Sequence, residues 1–450
     1  MEIEDLFDFE YIESGEYWSV THYYGRDEDV VFPASYKDIP VKSIGDWFSP
    51  YNKKIKRITI PEGYTSIGER AFEGCILLKE INFPESLTSI GERAFKHCIL
   101  LTEIKLPKSL TSVGEYAFSS CFLLKKIKFH EGLTSIWKYA FPDCPRLTDI
   151  NLPESLTSIE ESAFRMCSGL TDIKLPESLI SIGIGAFAYC KGLKEIKLPE
   201  SLTSIEPCAF NYCTGLTNIK IPKSLTSIRS DVFEGCTELT EINVDENNPV
   251  FCSVDGVMFD KAMTTLICFP DGKKGKYSVP DGIISLNHNI FDNCKLTGIS
   301  FPKSLLFIGF HLNNCEQLTD ITINEHHPNY CSIDGVLFDK KKSELIKYLK
   351  NKDKTDYAVP DGIISISYRA FESCKRLVNI VLPESLEIIK SYAFLGCEGL
   401  KAITLPENLQ YVGEWVFAEC PNLETITLSR KTKIVYEAFK GFNGKFVYID

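Results

Sequence analysis

A pattern of apolar and polar positions recurs every 23 residues along most of the chain. One unit, residues 101–123, has the sequence LTEIKLPKSLTSVGEYAFSSCFL, in which Leu101, Ile104 and Leu106 form an L-x-x-I-x-L segment. The alternation across I-K-L places two side chains inside and one outside, as a short β-strand requires. Pro107 cannot donate a hydrogen bond to a continuing ladder, so it ends this predicted strand.

Identical residues return at the same position of each unit. The phenylalanine column is Phe72, Phe95, Phe118, Phe141, Phe164, Phe187, Phe210 and Phe233. A cysteine column keeps step with it: Cys75, Cys98, Cys121, Cys144, Cys167, Cys190, Cys213 and Cys236. The pattern returns at Phe291/Cys294, Leu312/Cys315, Phe371/Cys374, Phe394/Cys397 and Phe417/Cys420, which makes thirteen recognisable units. A fixed period of this size predicts a solenoid, because one unit cannot bury its apolar face alone.

Two insertions interrupt the repeats, at residues 247–286 and 324–366, and they are copies of each other. Both contain an Asp-Gly pair between apolar segments, at 255–256 and 334–335. Asp-Gly in this setting favours a tight β-hairpin turn. We therefore predict a curved leucine-rich repeat solenoid, mainly parallel β-structure with short turns or helical segments, which carries two β-hairpin insertions.

The same pattern predicts how the chain is divided. Residues 1–50 are interpreted as an N-terminal cap with one degenerate repeat, and residues 51–246 as regular 23-residue repeats. Residues 247–370 are interpreted as irregular repeats with the two insertions, and residues 371–450 as further repeats and a C-terminal cap. A solenoid needs such caps because its terminal turns would otherwise expose the core.

Charge and hydropathy exclude several classes of protein. Lys+Arg number 49 and Asp+Glu 61, so the net charge is −12, which disfavours binding to the phosphates of nucleic acids. No stretch of 18 apolar residues is present, so we expect no membrane span. The acidic start, MEIEDLFDFE, lacks the basic region of a secretory signal, so we expect no leader. We also expect a monomer.

The 17 cysteines are interpreted as packing residues. Zinc sites use Cys-x₂₋₄-Cys pairs, whereas most of these cysteines are 23 residues apart. Bridges along the column would distort the stack, because the Cβ vectors of equivalent residues are parallel. We predict buried, reduced thiols. Four cysteines outside the column would be reactive if they were exposed: Cys208, Cys252, Cys268 and Cys331.

No motif for catalysis, a cofactor or a metal stands out. The one histidine pair, His326-His327, is expected to be exposed in a loop, where neighbouring rings splay apart. Asp255 and Asp334 lack the alternating oxygen ligands of a calcium loop. No glycine-rich nucleotide-binding motif is present. We therefore predict no enzyme activity, no cofactor and no metal.

Charged residues flank the isoleucine of each predicted strand. The residue before it is mostly acidic and the residue after it is mostly Lys or Asn, so stacking predicts an acidic stripe beside a basic one on the expected concave face. One interpretation is mutual charge compensation that keeps the sheet soluble; the other is a polar groove for a protein or glycan. The candidate partner-binding residues are Glu80, Glu103, Lys105, Lys128, Asp149, Asp172, Lys174, Glu195, Lys197 and Lys220.

The recurring motif LPxSLTSIGxxAFxxCxxLxxIxLP, over about residues 41–440, resembles the leucine-rich repeat of the BspA-like family, also called the Treponema pallidum type. The SxDGVLFxK motif of the insertions resembles one that recurs in that family. The resemblance implies a surface or secreted protein that binds a host-cell or matrix protein and promotes adhesion. The missing leader and the unbridged cysteines favour the cytoplasm instead.

Three functional hypotheses follow. The first is a non-enzymatic protein-binding or adhesion module, and the second is an intracellular interaction scaffold. The third is a parallel β-helix carbohydrate-active enzyme, whose coils have a similar length. An active site needs unrepeated residues in one place. The regular repeats offer mainly His130, Trp137 and Tyr139 as local departures, with no carboxylate cluster around them.

Overall fold

The computed structural model describes residues 2–287, 289–308, 312, 315–435 and 437–449. Two compact units are present: unit 1 comprises Met1–Ala262 and Leu266–Gly272, and unit 2 comprises Met263–Thr265 and Lys273–Asp450. In each unit, successive turns of the chain stack as a parallel β-solenoid. The described part of the chain contains no α-helix, and its helical turns are the 3₁₀ segments Ile3–Asp5, Glu13–Gly15 and Ser230–Phe233. The division of the chain into four segments, given above, stays a prediction.

One row of parallel strands, here called the isoleucine row, passes through the predicted strand segments. In unit 1 it comprises Asp29–Val31, Arg57–Thr59, Glu80–Asn82, Glu103–Lys105, Lys126–Lys128, Asp149–Asn151, Asn218–Ile221 and Glu241–Val244. Pairing is in register, with Ile104 opposite Ile127 and Ile127 opposite Ile150. Between Asp149–Asn151 and Asn218–Ile221 the pairing is reduced to one parallel β-bridge, which joins Lys174 to Lys197.

The predicted isoleucine column is confirmed, since its members are buried or, for Ile150, partly buried against the core: Ile81, Ile104, Ile127, Ile150, Ile173, Ile196, Ile219 and Ile242. A second row of strands lies half a turn further along each repeat and was not predicted. In unit 1 this serine row comprises Ile39–Ile44, Ser66–Ile67, Ser89–Ile90, Ser112–Val113, Ser135–Ile136, Ser158–Ile159, Ser181–Ile182 and Ser204–Ile205. Only two residues of each turn pair here, too few for period-2 alternation to be visible in the sequence.

Unit 2 contains both rows as well. Its isoleucine row comprises Lys274–Ser278, Lys295–Phe301, Asp320–Ile323, Asp356–Ala358, Asn379–Val381, Ala402–Thr404, Thr425–Ser429 and Lys445–Ile449. Its serine row includes Ser285–Leu286, Ser365–Ile366, Ile388–Ile389, Tyr411–Val412 and Lys433–Ile434. The last strand of the isoleucine row, Lys445–Ile449, pairs in parallel with Thr425–Ser429 and ends the stack.

The N-terminal segment begins with a different arrangement. Phe7–Ile12 and Tyr17–Tyr23 form an antiparallel pair, and Tyr17–Tyr23 then pairs in parallel with Ile39–Ile44. Ser35–Tyr36 adds a short antiparallel pair to Ile39–Ile44. The antiparallel pair therefore covers the first turn of the solenoid, as a cap must.

Both insertions form the predicted hairpins. Phe251–Val254 pairs with Val257–Asp260, and Tyr330–Ile333 pairs with Val336–Asp339, in both cases antiparallel. The Asp and Gly of each turn have positive φ, between 49° and 70°, as a type I′ turn requires. Each insertion also has a third strand, Thr265–Cys268 or Glu344–Lys347, which pairs antiparallel with the second.

Stacked phenylalanine rings form the centre of the core. In unit 1 the rings from Phe72 to Phe233 are fully or almost fully buried, and neighbouring ring centroids are 5.3–5.9 Å apart with nearly parallel planes. In unit 2 Phe371, Phe394 and Phe417 stack in the same way at 4.9 and 5.3 Å. This ladder explains why the phenylalanine column keeps its interval, because a shifted ring would have no partner on either side.

The cysteine column has a specific role next to these rings. From Cys98 to Cys236, each Sγ donates a hydrogen bond to the carbonyl of the phenylalanine 26 residues earlier; for example, Cys144 donates to Phe118 at 3.4 Å and Cys213 to Phe187 at 3.1 Å. All 17 cysteines are thiols and every member of the column is buried. The side chain is small and apolar, with a weak donor that satisfies a buried carbonyl.

Serine hydroxyls make a second ladder of this kind. The serine before the second leucine of each repeat donates to the backbone carbonyl 22 residues earlier, as Ser109 does to Leu87 at 2.5 Å and Ser201 to Leu179 at 2.7 Å. The chain also passes through left-handed backbone at two corners of most turns. Residues other than glycine occupy them, for example Arg93 (φ 55°) and His97 (φ 61°) in one turn.

The expectation that His326 and His327 form an exposed pair is wrong for His327. His326 is exposed, but His327 is fully buried. Its Nε2 donates to the carbonyl of Leu305 at 2.8 Å, and its Nδ1 accepts from the amides of Asn329 and Tyr330 at 3.1 Å. The imidazole therefore holds three backbone groups of unit 2 together.

In the first insertion Asn248 occupies the equivalent position and makes the same kind of contacts. Its Nδ2 donates to the carbonyls of Pro222 and Leu225, and its Oδ1 accepts from the amides of Val250 and Phe251, at 2.8–2.9 Å. Both side chains combine a donor and an acceptor in a short reach. An amide in the first insertion and an imidazole in the second therefore satisfy backbone groups at the same place.

Truncation of one stacked ring is expected to destabilise the protein strongly. Phe164→Ala removes a fully buried ring between Phe141 and Phe187 and leaves a cavity, so the free energy of unfolding should fall by about 3–5 kcal/mol. Phe122→Ala is the control, because Phe122 is 41% exposed and should change the free energy by no more than about 0.5 kcal/mol. Denaturant unfolding measures both. Similar losses in the two variants would contradict a ring ladder at the core.

Thiol titration tests the burial of the cysteines. Every column thiol is buried, and burial raises the pKa of Cys121 to about 12, so these thiols should not react in the native protein. Cys208, Cys252 and Cys331 are only partly buried and are the thiols expected to react first. An aromatic disulfide reagent should therefore label at most these three residues in the native protein and all 17 after denaturation. A native mass reduced by disulfide formation in the column would contradict this.

Substitution of His327 should separate its hydrogen bonds from its charge. His327→Ala leaves buried backbone groups unpaired and should cost about 1–3 kcal/mol, whereas His327→Asn imitates Asn248 and should cost less. Burial lowers the pKa of His327 in the folded protein. The unfolded chain then binds the proton first, so the contribution of His327 is complete above about pH 6.5 and is lost as the pH falls towards the folded pKa.

The stability difference between the wild type and His327→Asn measures this loss, because other titrating groups are common to both proteins. The difference should be constant above neutral pH and should shift against the wild type in acid. A difference that does not change with pH would show that His327 is not held neutral.

Candidate functional site

All ten candidate partner-binding residues lie in unit 1 beside the isoleucine row. Nine are exposed and Asp149 is partly buried. The alternation of the strand turns them outward, and the parallel register aligns them, with Glu103 opposite Lys126 and Lys126 opposite Asp149. Lys105 likewise lies opposite Lys128. Their role in binding is not established by this placement and remains a proposal.

Two ion pairs lie in the first part of this surface, while Lys105 is exposed there and forms no ion pair within the described residues. Lys128 Nζ is 2.6 Å from Glu103 Oε1, and Lys126 bonds to Asp149. The hydrogen bond to Asp149 raises the pKa of Lys126, as expected for a cation beside a carboxylate. Exposed pairs of this kind contribute little to folding but leave little net charge for a partner.

The turns that follow differ. Lys174 and Lys197 have side chains that are 90% and 89% exposed, and their carboxylate neighbours, Glu154 and Glu177, are 3.7 Å away in both cases. Asp172 and Glu195 are exposed and form no ion pair within the described residues. We call Asp172, Lys174, Glu195 and Lys197 the open charge segment. Of the other candidates, Lys220 lies 3.4 Å from Asp245, and Glu80 accepts a 3.5 Å hydrogen bond from Asn82.

A further surface, at the left-handed corners, was missed by the sequence analysis. The guanidinium of Arg70 lies 4.4 Å from the ring centroid of Trp47, and the rings of Tyr116 and Tyr139 stack at 4.9 Å. In unit 2 the corner carries Trp415, whose ring lies 4.0 Å from Lys440 Nζ. Tyr, Trp and Arg are enriched at protein interfaces. The available sign was the Arg or Tyr two residues before several of the phenylalanines, as at Arg70, Arg93, Tyr116 and Tyr139.

The corners also bring together a set of residue types associated with nucleophilic catalysis. His97, Ser120 and Asp143 have left-handed backbone in three consecutive turns, and Ser120 Oγ donates to Asp143 Oδ2 at 3.0 Å. A triad requires the histidine between the acid and the nucleophile, whereas here the serine is in the middle. This order does not activate the hydroxyl.

Thiol and metal chemistry find no support among the residues that the structure describes. Burial raises the pKa of the three partly buried cysteines outside the column, Cys208, Cys252 and Cys331, which lowers their thiolate content. Cys268 is buried, so the fourth is also shielded. No group of three or more metal-ligating side chains occurs in the described ranges. No described helix has the length and hydropathy needed to span a bilayer.

Comparisons with solved structures place this chain beside several leucine-rich repeat proteins. A leucine-rich cell surface protein from Faecalibacterium prausnitzii A2-165 is 23% identical, with 98% of this chain and 93% of that chain covered and a TM-score of 0.42. A leucine-rich repeat protein from Bacteroides ovatus ATCC 8483 is also 23% identical, with 99% of both chains covered and a TM-score of 0.42. The T. pallidum leucine-rich repeat protein is 27% identical over 48% of this chain and 90% of that chain, with a TM-score of 0.37.

No curated protein matches the sequence. The family model described as a BspA type leucine-rich repeat region of six copies matches residues 42–171, 157–273, 268–357 and 346–450. These ranges overlap and together cover nearly the whole chain. The repeats of the sequence, the two rows of strands and the match to the family model agree. The chain belongs to the family of BspA-type leucine-rich repeat proteins.

Proposed function

We propose that this protein is a non-enzymatic binding module that attaches to a host-cell or matrix protein through the outer side of its isoleucine row. The BspA-type leucine-rich repeat fold is consistent with a protein-interaction module. Proteins with this fold are generally non-enzymatic. The relative from Faecalibacterium prausnitzii is described as a cell surface protein, which supports an adhesive role. An intracellular scaffold would use the same surface on a different partner, and the reduced thiols favour that second candidate.

The observation that carries the proposal is the contrast along the charged stripe. Lys128 is half exposed and paired with Glu103 at 2.6 Å, whereas Lys174 and Lys197 extend into solvent, about nine-tenths exposed. A partner can replace a distant carboxylate more easily than one already bound at hydrogen-bond distance. The open charge segment is therefore the part of the stripe best able to exchange its contacts for those of a partner.

Stacking adds geometric selectivity to this segment. The backbones of Lys174 and Lys197 form a β-bridge between consecutive turns. Asp172 and Glu195 lie two residues before them, in the same order. Cations and anions therefore alternate across the strand and repeat along the row at about 4.8 Å. An extended partner segment with complementary charges can match this arrangement. The adjoining acidic residues limit general attraction for polyanions.

Reversal of the open charge segment should weaken binding without loss of folding. Lys174→Glu with Lys197→Glu places like charges beside Asp172 and Glu195 on an exposed face, so affinity should fall by up to about tenfold at low salt, with convergence to the wild type at high salt. Lys53→Glu with Lys191→Glu changes the net charge equally at exposed positions outside the isoleucine row and is the control. Biosensor binding to immobilised purified matrix proteins and to host-cell membrane extract measures the effect.

Equal binding by the two double variants would contradict the proposal. The stripe would then serve only for solubility, and the insertions at 247–286 and 324–366 would become the leading surfaces. Turnover of a polysaccharide substrate by the purified wild type would contradict the non-enzymatic part.

A further inference from the structure

A cavity that is open to solvent lies in unit 2, between the second insertion and the neighbouring repeats. Its volume is about 230 Å³, and its apolar lining includes Phe307, Leu337 and Ile346. Tyr330 and Tyr368 contribute aromatic walls. The space equals the liquid volume of about eight water molecules, which fits one ring or a short alkyl chain.

The two carboxylates that line the cavity are already satisfied by neighbours. Asp339 accepts hydrogen bonds from the amide and hydroxyl of Ser343 at 2.7 and 2.8 Å and from the amide of Glu344 at 2.6 Å. Glu344 Oε1 lies 2.6 Å from Lys390 Nζ. Asp339, Glu344 and Lys390 therefore already have hydrogen-bond or ion-pair partners within the protein.

Lys347 is the lining residue whose charge is not matched. It is partly buried, and its Nζ donates one hydrogen bond, at 3.2 Å to the carbonyl of Arg369. Within the described residues no carboxylate lies at ion-pair distance from it, and the nearby Glu372 is bound by Arg369 at 3.3 Å. Burial lowers the pKa of Lys347, which is the cost of an ammonium group with too few partners. An anion in the cavity would remove that cost.

The first insertion shows that this lysine is not required by the fold. Strand pairing places Leu337 opposite Lys347 in the second insertion and Met258 opposite Cys268 in the first, so Cys268 is the equivalent of Lys347. Cys268 is buried, and Thr265 stands where the second insertion has Glu344. The second insertion has therefore acquired two charged residues at one place. A charged residue that the equivalent position does not need is a candidate for a role in binding.

We propose that this cavity binds a small monocarboxylate with an apolar ring or short chain. The carboxylate pairs with Lys347, and the apolar part lies against Phe307, Leu337 and Ile346. Pockets of this kind combine a mostly apolar lining with a few polar groups that fix orientation. The proposal does not depend on the partner surface of the isoleucine row, which lies in unit 1.

Calorimetric titration of the full chain with hexanoate and benzoate tests the proposal, with 1-hexanol as the uncharged control. The wild type should bind at least one of the two carboxylates, more tightly than it binds 1-hexanol. Lys347→Met keeps the length of the side chain but removes the charge, so it should weaken carboxylate binding at least tenfold and leave 1-hexanol unchanged. Lys341→Met, at an exposed position in the same insertion, should behave as the wild type.

Circular dichroism checks that each variant folds, and Lys347→Cys replaces Lys347→Met if the latter does not, because Cys is the residue of the first insertion. The proposal is overturned if the wild type binds neither carboxylate, if it binds 1-hexanol as tightly as hexanoate, or if removal of the lysine leaves carboxylate affinity unchanged. Loss of matrix-protein binding in the unit 1 variants would not affect any of these results.

Discussion

Hydrogen bonds between consecutive turns are the constraint on which the rest of the structure depends. The amide of Phe72 donates to the carbonyl of Ala94, and the amide of Gly91 donates to the carbonyl of Ile67, both at 2.8 Å. Buried backbone groups need such partners, and each turn of the solenoid supplies them to the next. The Cys and Ser ladders extend the same rule to side chains. Sequence identity at one position is thus a consequence of register across turns.

Much of the fold could be predicted from this periodicity, and what could not has physical reasons. The isoleucine column and the two hairpins follow from apolar spacing and from the Asp-Gly pairs. The serine row was missed because two paired residues leave no alternation to detect. The left-handed corners were missed because glycine is the usual marker of such backbone, whereas Arg93, His97 and others occupy it here. His327 was misjudged because its backbone partners are set by the path of the insertion, which composition does not reveal.

The candidate surfaces also combine features that the sequence could predict with features that it could not. Alternation was sufficient to place the ten charged residues outside, but ion pairing depends on the offsets between neighbouring turns. Lys128 lies 2.6 Å from Glu103 on the preceding turn, whereas Lys174 and Lys197 lie 3.7 Å from Glu154 and Glu177. The cavity beside Lys347 depends on differences between two copies of an insertion. In both cases the informative feature is a departure from the repeat, and its effect requires three-dimensional packing.

The cysteine-to-phenylalanine hydrogen bond has a consequence for how genes of this kind change length. Each thiol from Cys98 to Cys236 finds its acceptor on the preceding turn, whichever repeat that turn happens to be. Recombination that removes or duplicates one whole repeat of coding sequence in this region would therefore join donors to equivalent acceptors at the new junction. The residues outside this region would remain unchanged. A whole turn is therefore the unit that can be added to or removed from this region without loss of the thiol-to-carbonyl hydrogen bonds.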